Sequence, residues 1–105
     1  MKKSREELLS TIKQTLTTIA PDARVILFGS QARGTALPDS DWDILVILDK
    51  VKIETSDFDN ISFALYELGW KEGEHFSPKL YTKEEWMKRS FTPFYKNVEK
   101  EGILL

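Results

Sequence analysis

Two short polar motifs, each at the end of an apolar segment, constrain this chain more than any other feature. The apolar run at residues 25–28 stops at Gly29-Ser30, and the run at residues 44–48 begins directly after Asp41-x-Asp43. Short apolar runs bounded by turn residues are typical of buried strands. The sequence therefore predicts two strands, and the polar motifs at their ends form the candidate functional site.

Gly29 and Ser30 indicate a binding site for phosphate. Free backbone N–H groups at a turn or at the start of a helix attract anions, and glycine allows the turn that exposes them. Ser30 adds a hydroxyl group, and Arg33 follows within one turn with a guanidinium group. We predict that Gly29, Ser30 and Arg33 bind the phosphates of a nucleotide. An ordinary tight turn after the strand is the alternative.

Asp41 and Asp43 indicate a binding site for a divalent metal ion. Side chains alternate between the two faces of a strand, so these carboxylates project to one side, with Cα atoms about 6.6 Å apart. Such a pair repels itself unless a cation or protons neutralise it, and its hard oxygen atoms suit Mg²⁺ or Mn²⁺ shared with substrate phosphates. A solvated entry to the strand, after the turn at Pro38-Asp39, is the alternative.

Gly29-Ser30, ten intervening residues and Asp41-x-Asp43 together form a composite motif. With it, the sequence resembles the minimal nucleotidyltransferases of the DNA polymerase β-like superfamily, whose pattern is Gly-Ser followed after ten residues by Asp-x-Asp. The resemblance implies an α/β (α+β) fold, with a small mixed β-sheet flanked by helices. It also implies that Gly29 and Ser30 lie near the nucleotide phosphates and that Asp41 and Asp43 bind metal.

The resemblance also implies a reaction, the Mg²⁺-dependent transfer of NMP from a nucleoside triphosphate, with ATP as the expected donor. Stand-alone domains of this kind are often antitoxins that neutralise a HEPN-domain toxin by adenylylation, so a side chain of such a partner is the expected acceptor. Two alternatives remain open. One is a transferase for a small molecule such as an aminoglycoside, and the other is a non-catalytic nucleotide-binding module that blocks its partner by binding.

The length and charge of the chain limit these alternatives. With 105 residues, we expect a single domain, residues 1–105, with no separate domain for a small acceptor. Fifteen basic and seventeen acidic residues give a net charge of −2, so no general attraction to nucleic acid or to membranes is expected. The sequence has no cysteine and no apolar signal segment at its charged N-terminus, which favours a cytoplasmic protein.

Apolar spacing predicts two long helices. A capping box formed by Ser4 and Glu7 opens the first, over residues 4–20. The second is predicted over residues 56–70, with an apolar stripe formed by Phe58, Ile61, Leu65 and Leu68. It also carries an aromatic stripe formed by Phe63, Tyr66 and Trp70. We expect the aromatic stripe to widen the buried face, and an exposed patch for a partner is the alternative.

The last third of the sequence predicts one strand and two short helices. Residues 74–81 form the strand, which Pro78 makes an edge or bulged strand. Capping signals open the helices at Thr82 and at Thr92, and the second helix stops at Gly102. The apolar residues expected to close the core are Phe91, Phe94, Val98, Ile103 and Leu104.

The third strand departs from the family pattern. Related nucleotidyltransferases usually carry a third carboxylate there, and alignment at the following helix start places Ser77 near that position. His75 shares the parity of Ser77, and a neutral imidazole can act as a base near pH 7, although a strand histidine is often an ordinary surface residue. Glu74 is the nearest carboxylate, with the wrong parity unless Pro78 marks a bulge. The sequence leaves open which residue takes this role.

Overall fold

The computed structural model of the protein describes residues 4–105. The first half of the chain forms helix α1 (Arg5–Ile19), strand β1 (Arg24–Phe28), the one-turn helix α2 (Ser30–Arg33) and strand β2 (Trp42–Leu48). The second half forms helix α3 (Thr55–Glu72), strand β3 (Phe76–Thr82), helices α4 (Lys83–Lys88) and α5 (Pro93–Glu101), and the two-residue strand β4 (Ile103–Leu104).

The four strands form one mixed sheet in the order β3-β2-β1-β4. Strand β2 runs parallel to β3 and antiparallel to β1, and β4 pairs with β1 in the antiparallel sense. The predicted mixed sheet flanked by helices is therefore confirmed, with β2 in the centre. Strand β3 lies at the edge, where a proline is tolerated, and its register with β2 is continuous past Pro78, without a bulge.

Both faces of the sheet are covered, which explains why β2 is apolar on both sides. Ile44, Val46 and Leu48 belong to the core on one face, together with buried residues of α1 and α3. Leu45 and Ile47 belong to a smaller core on the other face, together with residues of α4 and α5. A strand with helices on both faces needs apolar side chains at consecutive positions.

The capping signals in the sequence mark the helix starts correctly. The Ser4 hydroxyl accepts a hydrogen bond from the Glu7 amide at 3.2 Å, and α1 begins at the next residue, Arg5. Thr82 and Thr92 cap α4 and α5 in the same way. These predictions succeed because a cap satisfies backbone groups within one turn and needs no tertiary contact.

The prediction that the aromatic stripe of α3 is buried is wrong. The exposed fractions of the Phe63, Tyr66 and Trp70 side chains are 67%, 70% and 80%. At 3.6 residues per turn, this stripe lies nearly opposite the buried residues Ile61, Leu65 and Leu68, which face the sheet. Phe58, at the margin of the buried stripe, is half exposed.

The tail closes the smaller core differently from the prediction. Trp86 stands at its centre, with its ring centroid 5.5 Å from that of Tyr81, 5.7 Å from that of Phe94 and 4.8 Å from that of Tyr95. The Trp86 indole N–H donates to Glu99 Oε1 at 3.1 Å. Val98 is buried as expected and Phe94 packs against the core, but Phe91, Ile103 and Leu104 are exposed.

We predict that Trp86→Ala lowers the free energy of unfolding by about 3–5 kcal/mol, because it removes the largest side chain of a packed core. The exposed fraction of Trp86 is 1% and that of Trp70 is 80%, so Trp70→Ala is the matched control. We expect the control to change the unfolding free energy by less than about 0.5 kcal/mol. Urea titrations followed by circular dichroism measure both values, and equal losses would contradict the assignment of this core.

Candidate active site

Gly29 brings the turn after β1 against a carboxylate of β2. Its backbone has φ 75° and ψ −158°, a left-handed conformation that side chains disfavour. A Cβ atom at this position would collide with the carboxylate of Asp43. Only glycine therefore allows the backbone of the turn and the Asp43 side chain to approach so closely.

The segment after Gly29 winds at once into α2. The amides of Ala32 and Arg33 each donate to the Gly29 carbonyl at 3.1 Å. The first amides of a helix have no acceptor inside it, so those of Ser30 and Gln31, directly after Gly29, have none within α2. The turn and helix start that the sequence predicted at Gly29-Ser30 are thus present in the fold.

Asp43 stands in a row of side chains that crosses three strands. The register pairs it with Phe28 of β1 and with Ser77 of β3, so all three side chains share one face of the sheet. Asp41 is exposed and directly precedes β2, which begins at Trp42 rather than at Asp41. The two predicted metal ligands therefore lie at the point where the chain enters the central strand.

The electrostatics of this point are unfavourable for a carboxylate pair without a cation. Burial, followed by the charge of Asp41, raises the pKa of Asp43 above its ordinary value of 3.8, and the charges of Lys79 and Arg33 oppose this rise only in part. Two hard carboxylates in this state suit Mg²⁺ or Mn²⁺. Within residues 4–105, no group of three or more His, Cys, Asp or Glu side chains could hold a metal. The remaining ligands would come from substrate phosphates and water.

The candidates for the missing third carboxylate lie in different places. Ser77 is the direct neighbour of Asp43 in the sheet, as the alignment placed it. Glu74 lies on the other side, where its Oε2 accepts a hydrogen bond from the Trp42 indole N–H at 3.1 Å. His75 is exposed and precedes β3, and its carbonyl accepts from the Trp42 amide at 2.8 Å.

Arg33 completes the group of predicted site residues. It lies close enough to Asp43 to lower the pKa of that carboxyl, and its Nη1 forms an ion pair with Glu101 Oε2 at 3.6 Å. It lines a cleft of about 220 Å³ with Gly29, Phe94 and Asn97 among the other walls. The fold thus brings together the predicted residues Gly29, Ser30, Arg33, Asp41 and Asp43.

Lys79 is a charged residue of this site that the sequence analysis missed. It pairs with Leu45 in the register, so it shares the face of Asp43, and its charge lowers the pKa of that carboxyl. The signal was available, because Lys79 has the same parity as Ser77 in the predicted strand. A cation beside the Gly29-Ser30 turn and two carboxylates suits an anionic substrate.

The family profile for the nucleotidyltransferase domain matches residues 9–105. The chain belongs to this family. The match covers the Gly29-Ser30 turn, both aspartates and β3, and it confirms the family and the class of enzyme predicted from the composite motif.

Two related proteins and one solved structure agree with this assignment. Over 82 residues the chain is 34% identical to a candidate protein adenylyltransferase, MJ0604, of Methanocaldococcus jannaschii. This alignment covers 78% of this chain and 76% of that protein. Over 65 residues it is 35% identical to terminal uridylyltransferase cid1 of Schizosaccharomyces pombe, covering 62% of this chain but only 15% of cid1. A solved candidate minimal nucleotidyltransferase superposes with a TM-score of 0.62 and 25% identity, over 95% of this chain and 94% of the other.

We predict that Asp43→Asn stabilises the metal-free protein at neutral pH. A carboxyl whose pKa is raised in the folded state favours folding fully only below its unfolded pKa, and this contribution is lost as the pH rises through the folded value. The stabilisation should therefore be present at pH 7 and disappear below about pH 3.8, the ordinary value. Thermal melts in EDTA at several pH values measure it, and an equal stabilisation at every pH would contradict this electrostatic origin.

Proposed function

We propose that this chain transfers the NMP part of a nucleoside triphosphate, with ATP as the expected donor, to a hydroxyl group of a protein side chain. The observation that carries the proposal is the contact between Gly29 and Asp43. It brings a turn suited to phosphate within reach of the carboxylate pair suited to Mg²⁺, as one triphosphate would require. Because such a reaction consumes nucleoside triphosphate, the proposed activity belongs to the cytoplasm.

In the proposed reaction, the acceptor oxygen forms a bond to the α-phosphorus, the bond from that phosphorus to the bridging oxygen of the β-phosphate breaks, and pyrophosphate leaves. The hydroxyl proton passes to water or to a base. Held by Asp41 and Asp43, Mg²⁺ would neutralise charge that develops on the α-phosphate. The chain itself binds and orients the nucleotide: the Gly29 backbone and the Ser30 hydroxyl would hold the β- and γ-phosphates.

Arg33 would bind the nucleotide phosphates after losing only a weak ion pair with Glu101. Its ion pair with Glu101 is long and its side chain is nearly half exposed, and exposed pairs contribute about 1 kcal/mol or less. A triphosphate carries several negative charges and accepts bidentate hydrogen bonds from a guanidinium group. Arg33 would therefore exchange Glu101 for the nucleotide.

A HEPN-domain protein is the partner that we propose as acceptor. The resemblance to minimal nucleotidyltransferase antitoxins supports this proposal. So does the similarity to a candidate protein adenylyltransferase, because this chain covers most of the length of that relative. Transfer to a small molecule such as an aminoglycoside has less support, because neither of these two similarities points to it.

A binding-only module is the second candidate function, and the identity of Ser77 favours it. Serine is too weak a base to accept the proton of the acceptor hydroxyl, and it is a poor ligand for a hard cation compared with a carboxylate. In that case the chain would bind Mg²⁺ and nucleotide at the same residues and neutralise its partner by contact.

We predict that Asp41→Asn and Asp43→Asn each reduce metal-dependent NMP transfer at least about a hundredfold, because each removes half of the carboxylate pair. Asp49→Asn is the matched control, since Asp49 lies just beyond the other end of β2 and is exposed. Transfer of label from ATP to the HEPN-domain partner, with Mg²⁺, measures the rates. Unchanged transfer in both site variants would rule out these ligands.

We predict that Ser77→Asp raises the transfer rate about tenfold or more, because it places a base and a third carboxylate beside Asp43. Ser77→Asn is the matched control, because asparagine has nearly the same shape as aspartate but no basic carboxylate. It should not raise the transfer rate. Rates at one pH and saturating Mg²⁺ test this. Rapid transfer by the wild type that His75→Ala abolishes would instead identify His75 as the base and contradict the role proposed for position 77.

A further inference from the structure

One guanidinium group contacts both halves of the composite motif. Arg5, in the first turn of α1, donates from Nη2 to the main-chain oxygen of Gln31 at 2.6 Å and from Nη1 to its side-chain oxygen at 3.4 Å. The same group lies 5.4 Å from the centroid of the Trp42 ring. Gln31 directly follows Ser30, and Trp42 separates the two aspartates. Arg5 therefore joins the phosphate turn to the carboxylate strand.

Further hydrogen bonds connect this group to the surrounding chain. The Gln31 side chain, which is only 8% exposed, donates from Nε2 to the Ser40 carbonyl at 3.3 Å, next to Asp41. On the other side, the Trp42 indole donates to Glu74, just before β3. Buried polar groups that are satisfied in this way fix a local structure, because breaking one bond leaves another group without its partner.

The fold gives a reason why such a connection is needed. Helix α2 has four residues, and an isolated helix of one turn is unstable in water. Its position relative to β2 must therefore be fixed by contacts from outside the turn.

We propose that Arg5 and Gln31 are positioning residues for nucleotidyl transfer. They hold the Gly29-Ser30 turn and the entry to β2 at the separation at which one triphosphate reaches both. The inference rests on the proposed function, since it requires both motifs to bind the same nucleotide. Neither residue contacts the reacting atoms in this proposal, and both act through the backbone segments that they connect.

Loss of the Arg5 contacts should affect the alignment of the bound nucleotide more than its affinity. The Arg5→Ala variant keeps every proposed phosphate-binding and metal-binding group of the two motifs. Its KM for ATP should therefore stay within about threefold of the wild-type value. Misplacement by about 1 Å can cost a hundredfold in rate, so we expect kcat to fall at least about tenfold. Arg5→Lys should not restore kcat, because an ammonium group lacks the planar fork that reaches both Gln31 oxygens and stacks on Trp42.

Arg24→Ala is the matched control. It removes the same side chain and charge from an exposed position at the start of β1, at the opposite end of that strand from Gly29. It should leave kcat and KM unchanged. Gln31→Ala, combined with Arg5→Ala, should cost less than the sum of the single losses if the two residues act as one unit. Circular dichroism at the assay temperature must show all variants folded.

Hydrogen exchange provides a readout that needs no activity. Without nucleotide, residues 29–34 and 40–43 should both exchange faster in Arg5→Ala than in the wild type, and not in Arg24→Ala. Unchanged exchange in these segments, or unchanged kcat in a folded Arg5→Ala variant of an active enzyme, would overturn the inference. If the wild type is inactive, the proposed function fails, and the exchange arm alone decides whether Arg5 holds the two motifs together.

Discussion

The close approach of Gly29 to the Asp43 carboxylate is the constraint on which the candidate site depends. Strands β1 and β2 are antiparallel neighbours, so the end of one lies beside the start of the other. The polar motifs meet there, but they can touch only because one of the two residues in contact has no side chain. The left-handed backbone of Gly29 then turns the chain directly into α2. Together with the hydrogen bonds from Arg5 to Gln31, this contact would set the distance between the proposed phosphate-binding turn and the proposed metal ligands.

The packed cores on both faces of the sheet support this contact. The central strand β2 carries Asp43 at its start and buried apolar residues along the rest of its length. Helices α1 and α3 cover one face, and α4 and α5 cover the other. The half-buried carboxylate at the start of this strand is attached to a close-packed core, which resists displacement. Asp43 is therefore attached to a packed strand although burial and the charge of Asp41 raise its pKa.

Features of the fold that depend on neighbouring residues could be predicted from the sequence. Features that depend on contacts between distant segments could not. The caps at Ser4 and Thr82 and the turn at Gly29 depend on residues within one turn of each other, so the sequence shows them directly. The role of Arg5 depends on a residue 26 positions away, and in the sequence it is one more charged side chain near a helix start. The phase of α3 could have been derived, because Ile61 and Tyr66 are five residues, or about 140°, apart. The two-residue strand β4 carries no periodic signal at all.

Pro78 has a consequence for the behaviour of the protein in solution. An edge strand offers a row of backbone donors and acceptors to any other extended chain, and this is a common route to aggregation. Strand β3 is such an edge strand, but Pro78 near its middle has no N–H group that could donate to an added strand. A second chain adding there would find its hydrogen-bond ladder interrupted. The residue that looks like a defect in the strand thereby helps the sheet to end at four strands.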